Sequence, residues 1–481
     1  MDKPYIYLFK TRKRNYIYDV NTNAIISINA ELYNLLNNAY ISDSEEIQKR
    51  SDLKKLIDNG YLSSSKVKII EHPKTPFLSH MLEYQLNTLT LQVTQQCNLR
   101  CEYCVYSGQY KNREHSNKWM DFKTAKQCID YVIDHSVDSK ELHFSFYGGE
   151  PLLNFTLIKQ CVEYIKQAIV GRKVIYNITT NGTLLTDEIL EFFEKENFLV
   201  MISLDGDKDS HNKNRKFATN NMGTFDVIIK NIIHIKECYP KIMQNLNFNV
   251  VLDSENDFDK INSFYTSFEA IDDFYSIRST LINTMYRKEI NKEINDDFYS
   301  KRGYEIFKLL LSRLGRFDDM KVSKLVKDYY VNVYFNTYYH RGLSKGLPET
   351  SHPGGPCVPG IQRLFADVEG RFFPCERVSE ESDLVNIGDC INGIDVNKAS
   401  QILNVGKIGE ENCKNCWNFR FCNMCVASVD EIKEFSLSKK MGYCETARSA
   451  TRNQLLDYCT LIELGYDFTS ESAANYEDYR S

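Results

Sequence analysis

Between about Leu86 and Leu310, short apolar runs rich in β-branched residues alternate with amphipathic segments, and this alternation constrains the fold more than any other feature of the chain. The amphipathic segments, such as Lys123 to His135, repeat apolar residues at the helical period. Strands that alternate with helices form a parallel sheet, because each helix carries the chain back to the edge where the next strand begins. The sequence therefore predicts an α/β fold. The predicted strands are Thr88 to Val93, Glu141 to Phe146, Val174 to Thr179, Leu199 to Ser203, Leu246 to Val251 and Phe274 to Ile282.

Other units flank this region. Residues 1–75 predict three short strands and two helices, with a hairpin turn at Asn21 to Asn23. From about Ser351 the chain is rich in Gly, Pro and Cys, and a helical tail is expected to begin near Cys444. At roughly 150 residues per domain, 481 residues suit about three domains. The predicted division is an N-terminal unit at 1–75, the α/β region at 86–310, a helical bridge at 311–350, a Cys-rich domain at 351–450 and a C-terminal helix and tail at 451–481.

Composition argues against several classes of protein. Hydrophobic residues make up 42% of the chain, and no stretch approaches the ~20 apolar residues of a membrane helix. The N-terminal residues alternate aromatic with polar side chains, so they lack the apolar run of a secretory signal. A net charge of −6 argues against nucleic acid, because phosphate binding needs a concentrated basic surface. We therefore expect a cytoplasmic protein whose partners are neither membranes nor nucleic acids.

The chain has 15 cysteines, which in a reducing cytoplasm indicates metal ligation or redox chemistry before disulfides. Directly after the first predicted strand, Cys97, Cys101 and Cys104 have three and then two residues between them. Three thiolates in one short loop are able to hold three irons of a [4Fe–4S] cubane and leave the fourth iron open to a small molecule. The alternatives are three unrelated thiols or a three-ligand zinc site, although zinc sites usually close with a fourth local ligand.

This loop, TQQCNLRCEYC, resembles the cluster motif of the radical S-adenosylmethionine (SAM) superfamily. The resemblance implies a partial (β/α)6 barrel in which SAM chelates the open iron, and one electron from the cluster cleaves SAM to a 5′-deoxyadenosyl radical. The implied SAM contacts are Tyr103 near the adenine, Gly148, Gly149 and Glu150 as the family's GGE motif, Thr180, Asn181, Ser203 and Asp205 along the ribose and methionine, and Arg215 at the carboxylate. Ordinary turn chemistry or a surface charge is the alternative for each of them.

A second group of cysteines lies near the C-terminus. Its members are Cys357, Cys375, Cys390, Cys413, Cys416, Cys422, Cys425 and Cys444, a number that suits two further four-cysteine clusters. A zinc ribbon is the alternative, because CxxC pairs also suit tetrahedral zinc. The spacing resembles the SPASM extension of radical peptide-modifying enzymes, with one departure: two residues, where the family usually has three, separate Cys422 from Cys425.

The SPASM resemblance implies how these cysteines divide. Cys413, Cys416, Cys422 and Cys444 would hold a distal cluster, and Cys357, Cys375 and Cys425 a nearer one. Cys390 is the candidate fourth ligand of the nearer cluster; without it, an open iron is left for a substrate thiolate. Glu376 stands where sulfatase-oxidising relatives carry a proposed general base, and a solvated glutamate is the alternative. The other cysteines, Cys128, Cys161, Cys238 and Cys459, are predicted to be structural.

Residues 1–75 resemble the winged-helix peptide-recognition element of maturases, which binds a leader segment at a sheet edge; a packing extension is the alternative. Together the resemblances imply a SPASM-type maturase of a ribosomally synthesised precursor peptide. Its cofactors would be three [4Fe–4S] clusters and SAM, with an external electron donor of the flavodoxin or ferredoxin type. The favoured product is a thioether of the sactipeptide or ranthipeptide type. The enzymatic alternatives are oxidation of cysteine or serine to formylglycine in a sulfatase, a carbon–carbon cross-link, or an epimerisation; the non-enzymatic alternative is a zinc-binding interaction module.

Overall fold

The computed structural model of the 481-residue chain describes residues 3–38, 50–268, 276–289, 295–354 and 356–472. Within the described ranges, its N-terminal unit is an antiparallel sheet with the order β1–β2–β3, together with two helices. These elements are β1 Ile6–Lys10, β2 Asn15–Asp19, β3 Ala24–Ile28, α1 Ala30–Asn38 and α2 Ser51–Asp58. The turn expected at Asn21 to Asn23 joins β2 to β3, and Asn23 adopts a φ of 60°, which asparagine tolerates.

The two faces of this small sheet pack on different partners. Apolar side chains of α1 and α2 cover one face, where Ile17 is fully buried. On the other face Tyr7 stacks on Trp417, with ring centroids 3.8 Å apart, and the Tyr5 hydroxyl donates to the carbonyl of Cys416 at 2.6 Å. The N-terminal unit therefore rests directly on the second group of cysteines.

Six parallel strands form the middle of the molecule, after the short strand β4 Ile69–Ile70 and helix α3 Leu78–Tyr84. Strands β5 to β10 are Thr88–Thr94, Glu141–Gly148, Lys173–Thr180, Leu199–Ser203, Leu246–Leu252 and Ser276–Leu281. Helices α4 to α10 are Phe122–Asp134, Phe155–Ala168, Asp187–Lys195, Lys208–Asn214, Phe225–Cys238, Pro240–Gln244 and Phe258–Ser267. Chain order equals sheet order from β5 to β10, and the predicted α/β fold is confirmed. The first two residues of the strand expected from Phe274 lie outside the described residues.

Side chains alternate between two faces along these strands. In β9, Phe248 and Val250 are buried on the face that meets the helices, whereas Asn247 and Asn249 lie on the opposite, inner face. Arg278 of β10 pairs in register with Asn249 and so shares that inner face. The helix-facing positions supply the apolar core, and the inner face is polar enough to receive a polar ligand.

The parallel sheet continues into the Cys-rich region. Strand β12 pairs in parallel with β5, and β13, β14 and β15 follow in antiparallel order, which makes a ten-stranded mixed sheet. Strand β11 pairs with β4. These strands are β11 Thr350–Ser351, β12 Leu364–Ala366, β13 Arg371–Phe373, β14 Gly388–Asp389 and β15 Gly393–Ile394. The backbone of the Cys-rich region is thus hydrogen-bonded to the strand that precedes Cys97.

Helices occupy the rest of the C-terminal half. They are α11 Asp296–Arg313, α12 Lys327–Val333, which continues as the π-helix Tyr334–Tyr339, α13 Val396–Leu403, α14 Glu410–Lys414 and α15 Leu437–Glu463. Helix α15 begins before the expected start near Cys444, because the side chain of Ser436 caps it by accepting from Lys439 N. It therefore crosses the boundary predicted at residue 450. Among the described residues, no helix combines the length and apolar character needed to span a bilayer.

Candidate active site

The loop that carries Cys97, Cys101 and Cys104 leaves β5 at the carboxyl edge of the parallel sheet, where α/β proteins bind ligands. Backbone amides point at two of its sulfurs: Leu99 N donates to Cys97 Sγ at 3.3 Å, and Tyr106 N donates to Cys104 Sγ at 3.5 Å. Burial raises the pKa of all three thiols. Three thiolates in so dry a site need positive charge to balance them, which the irons of a cluster supply.

The donor set of this loop consists of three thiols, all free of disulfide bonds. A cubane binds each thiolate at a different iron, so its ligands are spread around a larger body. Three thiols on one loop, with amides donating to their sulfurs, suit that arrangement.

Gly148 and Gly149 hold the cysteine loop against the end of β6. A Cβ at Gly148 would lie 2.2 Å from Thr94 O, and one at Gly149 would lie 2.2 Å from Gln96 O. Without those atoms, Gly149 N donates to Thr94 O at 2.9 Å, and Glu150 N donates to Gln96 O at 2.8 Å. The resemblance assigned both glycines to SAM; in the structure they permit this close contact between backbone segments.

Glu150 is a buried carboxylate surrounded by neutral hydrogen-bond donors. It is 1% exposed and accepts from Leu152 N at 3.1 Å, Thr180 Oγ1 at 2.7 Å and Asn181 N at 2.7 Å. Burial raises the pKa of Glu150 to about 7 in spite of these donors. Among the described residues, no cationic side chain lies at ion-pair distance from this carboxylate. Such a group fits a cationic ligand atom, for example an ammonium nitrogen.

Asn181 links Glu150 to the cysteine loop. Its Nδ2 donates to Asn98 Oδ1 at 2.8 Å and lies 3.9 Å from Cys97 Sγ. Its Oδ1 accepts from the Thr183 hydroxyl at 2.6 Å, and Asn98 Nδ2 donates to the same hydroxyl oxygen at 2.8 Å. The sequence predicted Asn181 as a site residue but did not reveal Asn98 and Thr183. Neither of these two lies in a sequence pattern that distinguishes it from an ordinary turn residue.

Asp205, which follows β8, is held by three donors. Arg215 Nε donates to its Oδ2 at 2.8 Å, Val251 N donates to its Oδ1 at 3.0 Å, and the Tyr103 hydroxyl forms a short hydrogen bond to Oδ2. Arg215 also lies 5.4 Å from the centroid of the Tyr103 ring. We expected Arg215 to pair with the SAM carboxylate, but its partner in this structure is Asp205. Ser203 is buried at the same strand end.

A buried ion pair that the sequence did not reveal connects the segment after β5 to the Cys-rich region. Arg113 Nε lies 3.0 Å from Glu380 Oε1, and the two side chains are 1% and 4% exposed. Gln92 of β5 donates to the same oxygen at 2.7 Å. Arg113 Nη2 also donates to Val378 O at 2.9 Å and to the carbonyl of Glu376. Arg113 lies in a polar stretch without periodicity, so no local signal marks it.

The C-terminal cysteines occupy three places. The distal group, Cys413, Cys416, Cys422 and Cys444, lines a cavity of about 320 Å³. The cysteines expected to form the nearer group are Cys357, Cys375 and Cys425, and all three are free thiols. Burial raises the pKa of Cys425 and Cys375; Cys357 adds to the rise at Cys425, and Glu376 and Cys425 add to the rise at Cys375. Cys425 thus lies within electrostatic range of both Cys357 and Cys375.

Cys390 lies apart from both groups. Its thiol forms a hydrogen bond with the thiol of Cys128 in α4, and this bond raises the pKa of Cys128 and lowers that of Cys390. A Cβ added at Gly370 would meet Cys390 Sγ at 2.6 Å. The structure therefore brings the candidate fourth ligand to a cysteine predicted to be structural, and three cysteines remain in the nearer group.

Glu376 follows Cys375 and is 19% exposed. Arg363 Nη1 donates to its Oε1 at 2.7 Å, and Arg377 Nε lies 3.7 Å from the same oxygen. These arginines hold the carboxylate beside the nearer group of thiols.

Comparisons with known proteins match the site region. Residues 91–266 match the family model of the Radical SAM superfamily. The radical SAM cyclopropyl synthase TigE of Paramaledivibacter caminithermalis is 25% identical over 375 residues, which cover 75% of this chain and 72% of that protein. The cysteine-type anaerobic sulfatase-maturating enzyme of Clostridium perfringens is 25% identical and covers 75% of this chain and 94% of that protein.

Among solved structures, native anSMEcpe with bound AdoMet superimposes with a TM-score of 0.59 at 20% identity. The match covers 80% of this chain and 100% of that chain. This likeness shows a shared α/β fold.

Proposed function

Because this chain is a member of the radical SAM superfamily, we propose that it matures a ribosomally synthesised precursor peptide and forms a thioether between a cysteine sulfur and a carbon. The observation that carries the proposal is the position of Cys390 beside Gly370 and Cys128, which leaves Cys357, Cys375 and Cys425 as the proposed nearer group. A cluster held by three cysteines keeps one iron for a further ligand, and the thiolate of a substrate cysteine suits that position.

The residues around the first loop are suited to SAM and its cluster. The proposed cluster ligands are Cys97, Cys101 and Cys104. When bound, the cluster supplies the electron that cleaves SAM to a 5′-deoxyadenosyl radical. Glu150 would bind the SAM ammonium, because it is buried among neutral donors. Thr180 and Asn181 orient that carboxylate, and Arg215 acts indirectly by holding Asp205.

Glu376 is the proposed proton acceptor. Thioether formation removes two hydrogens from the peptide: the carbon loses a hydrogen atom and the sulfur loses a proton, while one further electron leaves the substrate. Glu376 lies directly after Cys375 and is held by Arg363 at 2.7 Å, so it is suited to take the proton from a thiol that binds there.

The N-terminal unit is proposed to act as a winged-helix-like leader-binding element. Among the described strands, β3 pairs with β2 alone, and Ser27 in β3 is exposed. At the opposite edge, Tyr5 N, just before β1, donates to Ser63 O at 2.9 Å, so the start of that edge is already paired. An extended leader would add to β3 through main-chain hydrogen bonds. We further assign residues 351–450 to a SPASM-type domain with two auxiliary clusters and expect a flavodoxin- or ferredoxin-type donor.

The direct test uses the reconstituted protein, SAM, a chemical reductant and a cysteine-bearing precursor peptide encoded beside its gene. We expect 5′-deoxyadenosine and a peptide that is lighter by two hydrogens and has lost one alkylatable thiol. The same core peptide without its leader should react far more slowly. Shortening the peptide is a cleaner control than deleting residues 1–75, since Tyr5 and Tyr7 pack on the distal cysteines. Full activity without SAM cleavage would refute the proposal.

Formylglycine formation is the second candidate, and the position of Glu376 beside Cys375 favours it together with the similarity to sulfatase-maturating enzymes. It predicts turnover of a leaderless sulfatase peptide and a product aldehyde that reacts with a hydrazine probe. A thioether does not react with that probe. A zinc-binding module, the non-enzymatic alternative, would leave the purified protein colourless.

A further inference from the structure

Lys440 is a fully buried lysine of α15 whose ammonium contacts the distal group of cysteines. Its side chain is 0% exposed, and Nζ donates to Cys413 Sγ at 3.3 Å, to Gly406 O at 3.2 Å and to Ile408 O. The three hydrogens of the ammonium thus have three acceptors. None of these is a carboxylate, and across the described ranges no Asp or Glu lies at ion-pair distance from this nitrogen.

A buried ammonium requires negative charge nearby, because the protein interior solvates an isolated ion poorly. The two carbonyl dipoles satisfy its hydrogen bonds but carry no net charge. The third acceptor, Cys413, is one of the four cysteines that line the cavity of about 320 Å³, and Lys440 lines it as well. Thiolates at these positions would supply the missing countercharge.

A second cation on the same helix contacts this group. Lys440, Cys444 and Arg448 follow one another at intervals of four residues and therefore lie on one face of α15. Arg448 donates to Glu445 Oε2 at 2.8 Å and lines the same cavity as Cys416. The helix thus presents one thiol with a cation one turn away on each side.

The surroundings of Lys440 hold it in this position. His352 Nε2 accepts from Gly406 N at 2.8 Å, and His352 Nδ1 donates to Pro353 O at 2.7 Å. A Cβ at Gly406 would lie 2.5 Å from His352 Nε2, so the chain needs glycine for this close approach. The carbonyl of Gly406 is thereby fixed toward the ammonium, which cannot turn away to solvent as a surface lysine does.

We propose that Lys440, assisted by Arg448, raises the reduction potential of the distal cluster, an inference that rests on the proposed presence of that cluster. One-electron reduction adds one negative charge to the site. A cation hydrogen-bonded to a ligand sulfur stabilises the more negative form, and hydrogen bonds to the sulfurs are among the factors that set cluster potentials. Lys440 acts through Cys413, so it is a positioning residue, and it favours electron flow from the substrate to the distal site.

The test is a redox titration followed by electron paramagnetic resonance, with the signal lost in Cys444→Ala identifying the distal cluster. In Lys440→Met the midpoint of that signal should fall by about 59 mV, which corresponds to a roughly tenfold lower ratio of reduced to oxidised cluster at a fixed potential. Arg448→Gln should shift it in the same direction by less. Lys407→Met is the matched control, because Lys407 is 51% exposed and pairs with Glu71.

Two results would overturn the inference. The first is an unchanged midpoint potential in the Lys440→Met variant, provided that this variant retains its iron. If the Lys440→Met variant loses iron, the second is an unchanged midpoint potential in the Arg448→Gln variant. The iron content of the wild-type protein distinguishes a failure of this inference from a failure of the proposed auxiliary clusters. Iron for a single cluster would refute the proposed auxiliary clusters, whereas iron for three clusters with unshifted midpoints would refute only the role of Lys440.

Discussion

Glu150 and Asp205 are buried carboxylates at two strand ends, but their partners differ. Arg215 donates to Asp205 at 2.8 Å, whereas Glu150 receives hydrogen bonds from a hydroxyl and two backbone amides. Asp205 therefore has its countercharge within the chain. Glu150 has a carboxylate available to a cationic ligand, which is the electrostatic basis for assigning it to the ammonium of SAM.

We predict that Glu150→Gln weakens SAM binding by roughly 30-fold or more. The change keeps the shape of the side chain but removes its charge, and losing one partner of a buried charge pair costs about 2–5 kcal/mol. Equilibrium dialysis with the reconstituted protein measures the affinity. Glu163→Gln, at an exposed position of α5, is the control. Equal affinity in the Glu150 variant and the wild type would contradict the assignment.

Replacing Cys390 and replacing Cys375 are predicted to have different effects on the iron content of the protein. Cys390→Ala should retain all bound iron, because Cys390 is hydrogen-bonded to Cys128. Cys375→Ala should lose roughly a third of the iron, corresponding to one of the three proposed clusters. A colorimetric iron assay after anaerobic reconstitution distinguishes them. Loss of the same fraction in both variants would make Cys390 a ligand.

At the scale of elements, the length of each strand determined whether the sequence pattern could predict it. Strands β5 to β10 have five or more residues each, so their apolar runs rich in β-branched residues were long enough to predict them. Strands β12 to β15 have two or three residues, too few for a period. The beginning of α15, which the cap at Ser436 defines, was not predicted, because the polar residues Ser438 to Lys440 interrupt the apolar periodicity there.

Two glycine-to-alanine changes should have opposite effects on stability. Gly149→Ala places Cβ 2.2 Å from Gln96 O and should lower the free energy of unfolding by about 1–3 kcal/mol. Gly303→Ala lies inside α11, where nothing is within 4 Å of the new atom, and should raise it by about 1 kcal/mol. Anaerobic urea titration followed by circular dichroism measures both. An unchanged free energy of unfolding in Gly149→Ala would contradict the prediction and would show that the cysteine loop can move to accommodate the new Cβ.

At the scale of the whole molecule, His352 lies where distant segments meet. Its ring centroid is 5.7 Å from that of His72, and its Nε2 accepts from Gly406 N. Burial lowers the pKa of His352 from 6.5 to about 4. Between these values the unfolded chain binds a proton that the folded chain does not, so this contribution to stability is complete above pH 6.5 and is lost as pH falls toward 4.

We therefore predict a loss of about 2 kcal/mol of unfolding free energy from His352 between about pH 7 and about pH 5. Urea titrations at the two pH values measure the difference. In His352→Gln the loss should be smaller by that amount, whereas His80→Gln, at an exposed position, should behave as the wild type. An identical pH dependence in His352→Gln would exclude the buried neutral imidazole as its cause.

The sequence by itself determined the six parallel strands, the three-cysteine loop and the dense C-terminal cysteine pattern, because each depends on residues close together in the chain. Only the tertiary structure decided that Cys390 meets Cys128, that Arg215 binds Asp205, and that β12 extends the sheet at β5. It also decided that Lys440 is buried against Cys413. Contacts between distant residues depend on how elements pack, and they leave no periodic trace in the sequence.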